Sequence, residues 1–86
     1  MARVTIQYWA AARDAAGMAV ESVEAATLAE ALDVVAARRG DDGRLRSVLA
    51  TSSFLVDGTP AARGTATDLV LPEAARIEVL PQFAGG

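Results

Sequence analysis

The chain has 86 residues with a formal net charge of −3, which is one domain's worth of polypeptide and argues against a nucleic-acid or anionic-membrane surface. Its 52% apolar content contains much alanine, so a core must rest on a modest set of Val, Leu, Ile and aromatic side chains. The sequence has no Cys and no His, and all eight basic residues are Arg, which removes disulfides, thiolate metal sites, a Cys or Lys nucleophile and the commonest general base. What remains for catalysis is carboxylates, hydroxyls and guanidiniums, so a carrier or binding module is expected rather than an enzyme, with no metal site and no catalytic residue.

Residues 3–9 alternate strictly, with Val4, Ile6 and Tyr8 on one face and Thr5, Gln7 and Trp9 on the other, as a half-buried strand does. The alanine-rich run 10–16 has strong helix propensity, and Gly17 is placed to end it. Residues 18–24 alternate again and are expected to form a second strand antiparallel to the first, with Met18, Val20 and Ser22 opposing Ala19, Glu21 and Val23. The pattern leaves open which set faces inward.

Thr27 and Glu30 have capping-box spacing, in which each side chain satisfies the other's backbone amide. Leu28, Leu32, Val35 and Ala36 then recur at helical spacing up to Arg38-Arg39-Gly40, where two cations and a glycine suit the end of a helix. Asp41-Asp42-Gly43 reads as a loop, and residues 44–50 as a short helix with Leu45, Val48 and Leu49 inward. A third strand over 53–57 leads into an Asp57-Gly58 turn and a short return through Ala61 and Ala62. Leu69 and Leu71 are expected to enter the core, and residues 76–80 form the last strand, with Ile77 and Val79 on one side.

Strand, strand, long helix, then more strands is an α+β order. A helix following an antiparallel pair crosses back over the sheet, which lets the last strand lie parallel to the first. The expected fold is therefore a ubiquitin-like β-grasp: a mixed sheet of four to five strands packed on one main helix. It occupies residues 1–81, and residues 82–86 are expected to form a flexible tail.

The tail ends in Gly85-Gly86. Chance produces a terminal glycine pair in about one chain in two hundred, but the pair also has a chemical use. Without a Cβ, both residues fit a narrow tunnel and take any backbone conformation, and the Gly86 carbonyl stays open to attack from either side. Pro81 cannot donate a ladder hydrogen bond and marks where pairing weakens. From Pro81 to Gly86 an extended chain reaches about 20 Å, enough to enter another protein's active site.

The segment YWAAARDAAG resembles the Phe-Ala-x-x-Arg-Glu/Asp-x-x-Gly signature of the MoaD group of sulfur carriers. FLVDG resembles that group's central strand and turn, and IEVLPQFAGG its final strand and Gly-Gly tail. The likeness covers nearly the whole chain and departs at Pro72-Glu73-Ala74-Ala75, where the family usually has Gly-Asp. The resemblance implies that an activating enzyme similar to the ubiquitin E1s uses ATP to adenylate Gly86. A sulfur donor (a sulfurtransferase or desulfurase) then makes the thiocarboxylate. It further implies a small, non-catalytic subunit of molybdopterin synthase, whose tail enters the large subunit and gives sulfur to the dithiolene of molybdopterin. The chain itself would bind no cofactor and would work in the cytoplasm.

Within that frame Gly86 carries the sulfur, and Gly85 and Ala84 thread. Phe83, Trp9, Pro81 and Arg13 are candidates for partner contact. Trp9 either covers a sheet edge or the short helix, or anchors a partner. Arg13 supports the strand–helix corner or touches a partner. Asp14, Glu73 and Glu78 read as a solvated face, and Arg38-Arg39 chiefly as a complement to the helix dipole. Two other functions stay open: sulfur delivery to thiazole, cysteine or another thio-metabolite, and a ubiquitin-like protein modifier. The lack of Lys weighs against a modifier that polymerises on itself.

Overall fold

In the computed structural model, residues 2–39, 43–61 and 69–81 are described. Five strands and three helices follow in the order β1 (Ala2–Tyr8), α1 (Ala10–Ala16), β2 (Val20–Ala25), α2 (Leu28–Ala37), α3 (Arg44–Ala50), β3 (Ser53–Val56), β4 (Thr59–Ala61) and β5 (Arg76–Leu80). The sheet order is β2-β1-β5-β3-β4, and only the central β1–β5 pair is parallel. This is the β-grasp arrangement expected from the element order.

The alternation in β1 translates directly into burial: Val4, Ile6 and Tyr8 are each at most 1% exposed. They meet Ile77 and Val79 of β5, Phe54 of β3, and Leu28 and Val35 of α2 in one core. The short helices share that core, with Ala12 of α1 and Leu45 of α3 buried in it. Alanine matters here because its small side chain lets a helix backbone lie close to its neighbours. Ala12, Ala25 and Ala31 are fully buried.

Local chemistry sets most of the boundaries. Gly17 takes φ 79° and its N–H closes α1 on the Arg13 carbonyl at 2.9 Å, the left-handed stop that favours glycine. At the start of α2, Thr27 Oγ1 accepts from the Glu30 N–H at 3.2 Å. The reciprocal bond differs from the expected box, because the Glu30 carboxylate accepts from the Ala26 N–H at 2.9 Å. Asp57 and Gly58 both have positive φ, 51° and 82°, as the two-residue I′ turn between β3 and β4 requires. Leu71 is buried and Leu69 half-buried, and the Leu71 N–H and Leu69 carbonyl bond to Ala26 and Leu28 at the entry to α2.

Two strand limits and one phase differ from expectation. β1 stops at Tyr8, since Trp9 is the residue capping α1. β3 stops at Val56, leaving Asp57 to the turn. β2 begins at Val20 and its inward set is Glu21, Val23 and Ala25, which lie opposite Ile6, Val4 and Ala2 of β1. Met18 and Val20 are on the outside, 45% and 48% exposed. The left-handed stop expected at Gly40, the Asp41-Asp42 loop and the return through Ala62 lie outside the described residues.

Candidate functional site

The candidate site is the end of the sheet from which the C-terminal segment departs. β5 runs parallel to β1, with Ile77 beside Ile6 and Val79 beside Tyr8, so both strands deliver their C-terminal ends to the same side. The ladder continues one step further: the Trp9 N–H donates to the Val79 carbonyl at 3.2 Å. Leu80 pairs with Ser53 of β3, and Pro81 follows outside the ladder. Proline ends the pairing because it has no N–H to offer.

Trp9 therefore sits beside the exit. Its indole Nε1 donates to Glu78 Oε1 at 3.3 Å, and its side chain remains 43% exposed. One edge of the indole is thus pinned to β5, while the ring is open to solvent. On the same open face, register sets Gln7, Glu78, Leu55 and Pro60 in one row across β1, β5, β3 and β4. Leu80 lies two residues beyond Glu78, towards the exit. Leu55, Leu80 and Pro81 are half-buried and Pro60 is exposed. The exit is thus bordered by the Trp9 ring and Leu80, with Leu55 and Pro60 further along the same face. A half-exposed tryptophan suits a partner, since Trp is enriched among the residues that contribute most when water is expelled from an interface.

The remaining sequence-selected residues fall differently. Arg13 is exposed on α1, where it lines a shallow groove with Asp14, Gly17, Met18 and Ala19. Glu78 is tied to Trp9, and the Glu73 carboxylate accepts from the Arg3 N–H at 3.3 Å, so neither is merely solvated. Phe83, Ala84, Gly85 and Gly86 lie outside the described residues.

Sequence reasoning missed a charged cluster under the sheet. The Glu21 side chain is only 7% exposed and its carboxylate meets Arg38 Nη1 at 2.9 Å and Arg39 Nη2 at 2.6 Å. The Arg39 Nη2 contact is close but off the hydrogen-bond direction, whereas Arg39 Nη1 donates to Oε1 at 3.1 Å. Tyr8 donates its phenol proton to Glu21 Oε2 at 2.5 Å. Arg39 also donates to the Ala16 and Val35 carbonyls, at 3.1 and 3.0 Å. These bonds correct the dipole reading of Arg38-Arg39: their main work is to join α2 to β2 and to the end of α1.

Burial alone would raise the Glu21 pKa, but the hydrogen bonds from Arg39, Tyr8 and Arg38 outweigh it and hold the carboxyl below its ordinary value. Burial, and then the Glu21 hydrogen bond and charge, push the Tyr8 phenol well above the usual tyrosine range. Every charge in the cluster is engaged by a neighbour, which suits a lock and leaves no general base. The signal in the sequence was a Glu placed among apolar residues, legible only with the facing Ile6 known. Among the described residues no three metal-ligating side chains come together, and no helix is long and apolar enough to cross a membrane.

Comparison with known proteins follows the same lines. The profile of the ThiS family matches residues 6–86, nearly the whole chain and including the Gly-Gly end. Comparison with curated proteins finds no match. Among solved structures, small archaeal modifier protein 1 of Methanosarcina acetivorans is 19% identical, with TM-score 0.84, covering 100% of this chain and 98% of that one. A Pyrococcus furiosus protein described as molybdopterin converting factor subunit 1 is 18% identical, with TM-score 0.77 and coverage of 96% and 100%. A third is from the complex of subunits 1 and 2 of the Helicobacter pylori molybdopterin-converting factor. It is 15% identical, with TM-score 0.66 and coverage of 98% and 99%. At these identities the likeness establishes the fold.

Proposed function

This chain belongs to the ThiS family, and on that premise we propose that it is a sulfur carrier whose Gly86 is adenylated, converted to a thiocarboxylate and used to build the dithiolene of molybdopterin. The Gly86 carboxylate attacks the α-phosphorus of ATP on an E1-like activating enzyme and pyrophosphate leaves. A carboxylate is a poor electrophile, whereas the resulting mixed anhydride has AMP as a good leaving group. A sulfur donor then displaces AMP. The carrier supplies a terminus, a reach and a docking surface, and the catalytic groups belong to its partners.

The observation that carries the reading is the exit geometry. β5 brings Leu80 and then Pro81 to the edge of the sheet beside the exposed Trp9. Leu80, with Leu55 and Pro60 further along the same face, gives a partner something to hold while the tail enters its active site. A large subunit of molybdopterin synthase is the proposed partner, in keeping with the subunit 1–subunit 2 complex from Helicobacter pylori. In this scheme residues 82–86 work as a flexible tail on a cytoplasmic carrier, with Gly85 and Ala84 threading and Phe83 seating it.

The test is mass spectrometry after incubation with ATP, the activating enzyme and a sulfur donor. The expected product has one sulfur in place of one oxygen at Gly86. Absence of both adenylate and thiocarboxylate overturns the proposal. A pull-down that recovers a thiazole synthase and no molybdopterin synthase large subunit moves the acceptor to thiazole. The likeness to a small archaeal modifier supports a second reading, attachment to other proteins. Recovery of Gly86 linked to lysines of cellular proteins would favour it.

A further inference from the structure

We propose that Glu78 is a positioning residue of the exit face: its carboxylate fixes the indole of Trp9, so that a partner meets a ring already set in place. The consequence for binding rests on the docking to a large subunit proposed above, whereas the ring's position in the free chain does not. The parallel ladder sets Tyr8 beside Val79, and the Trp9 N–H continues it onto the Val79 carbonyl. Trp9 thus stands one step past the Tyr8–Val79 pair, while Glu78 lies beside Gln7 on the open face. The indole reaches diagonally back across the ladder, where Nε1 donates to Glu78 Oε1 at 3.3 Å. Ring and carboxylate together span the parallel pair just before β5 ends at Leu80.

An exposed tryptophan samples several rotamers in water, and a partner must freeze one of them. A ring already tethered loses less entropy on binding. The carboxylate gains as well. Glu78 is half-buried and Leu55 flanks it on β3, so a partner covering this face strips water from an anion. A carboxylate left there without a donor opposes binding. Arg76, two residues away on the same strand, donates to Gln7 Oε1 and forms no ion pair with Glu78. Among the described residues, the side-chain donor that reaches the Glu78 carboxylate is the Trp9 indole.

The contact is long and open to solvent, so it adds little to the stability of the free fold. Covered by a partner, the same bond works in a lower dielectric and strengthens. Its loss therefore shows in affinity and in the freedom of the ring, and hardly in the melt, which separates positioning from a role in folding.

Trp9 is the only tryptophan, so the indole N–H resonance of the isotope-labelled chain reports the contact without any partner. Glu78→Thr keeps a good strand former, but its hydroxyl is too short to reach the ring. Glu78→Gln keeps an acceptor at the same reach and removes the charge. In Glu78→Thr the resonance is expected to move towards that of free indole and to exchange with water several-fold faster; in Glu78→Gln both stay near wild type. Calorimetry of the full chain against the molybdopterin synthase large subunit then reads the consequence. Glu78→Thr is expected to weaken binding about tenfold, and so is Trp9→Phe, which keeps a ring and loses the donor. The double variant should bind no more weakly than Trp9→Phe alone, because both changes remove one interaction. All melts should stay within a few degrees of wild type. An indole resonance unmoved in Glu78→Thr overturns the proposal. So do losses that multiply in the double variant, or a Glu78→Gln affinity as low as that of Glu78→Thr. If the large subunit captures no wild-type chain, the proposed function fails, and the indole resonance alone decides whether Glu78 holds the ring.

Discussion

Replacing Glu21 by Gln keeps the side chain's shape and removes the charge on which Arg38, Arg39 and Tyr8 converge. Arg39 is only 12% exposed in its side chain, and without its partner it becomes a poorly solvated cation. Breaking a buried pair by deleting one charge costs about 3–5 kcal/mol. Arg38 is 46% exposed and can rehydrate, so Glu21→Gln is expected to cost about 2–4 kcal/mol. For a domain of this size that lowers the melting midpoint by about 10–25 °C. Circular dichroism melts and urea titrations at neutral pH measure it. Asp33→Asn is the control: it breaks the pair with Arg46, whose side chains are 74% and 61% exposed, and should leave the midpoint unmoved. The pH dependence has a definite sign. The Glu21 pKa is depressed on folding, so its stabilisation is present above the unfolded value, near 4.5, and is lost as pH falls through the folded one. Wild type and Glu21→Gln should therefore converge on acidification. A loss under about 1 kcal/mol at neutral pH, or a gap that is unchanged in acid, refutes the reasoning.

Tyr8 predicts the opposite limb. Its pKa is raised on folding, so its contribution holds below pH 10 and falls above it, and Tyr8→Phe should flatten that alkaline loss in the same melts. Ala74 sits at φ 65° in the turn before β5. Ala74→Gly should relieve strain and stabilise the fold by about 0.5–1 kcal/mol in urea titration. Deleting Gly86 should leave the thermal midpoint within error of wild type while abolishing thiocarboxylate formation by mass spectrometry. A large loss of stability would make the end of the chain structural. Trp9→Ala should weaken capture by the large subunit at least tenfold in calorimetry, with a melt shifted by only a few degrees.

The pattern of inference follows the range of the forces. The alternation of β1 and β5, the Thr27 cap, the Gly17 stop and the Asp57-Gly58 turn were all legible, because each is settled within a few residues of backbone geometry. β2 was not settled in phase, because Met18 and Val20 offer as good an apolar stripe as Val23 and Ala25. Its choice depends on the facing Ile6 and on cations at positions 38 and 39, whose field makes burying Glu21 favourable. The candidate site divides the same way. Sequence identified Trp9 and Pro81 one by one. Parallel pairing of β1 with β5 then set the indole against Glu78 and beside the chain's exit. The sequence by itself determined most of the elements, since these are local. The tertiary structure alone decided which charges are buried together and what surrounds the exit, because those energies exist only between residues far apart in the chain.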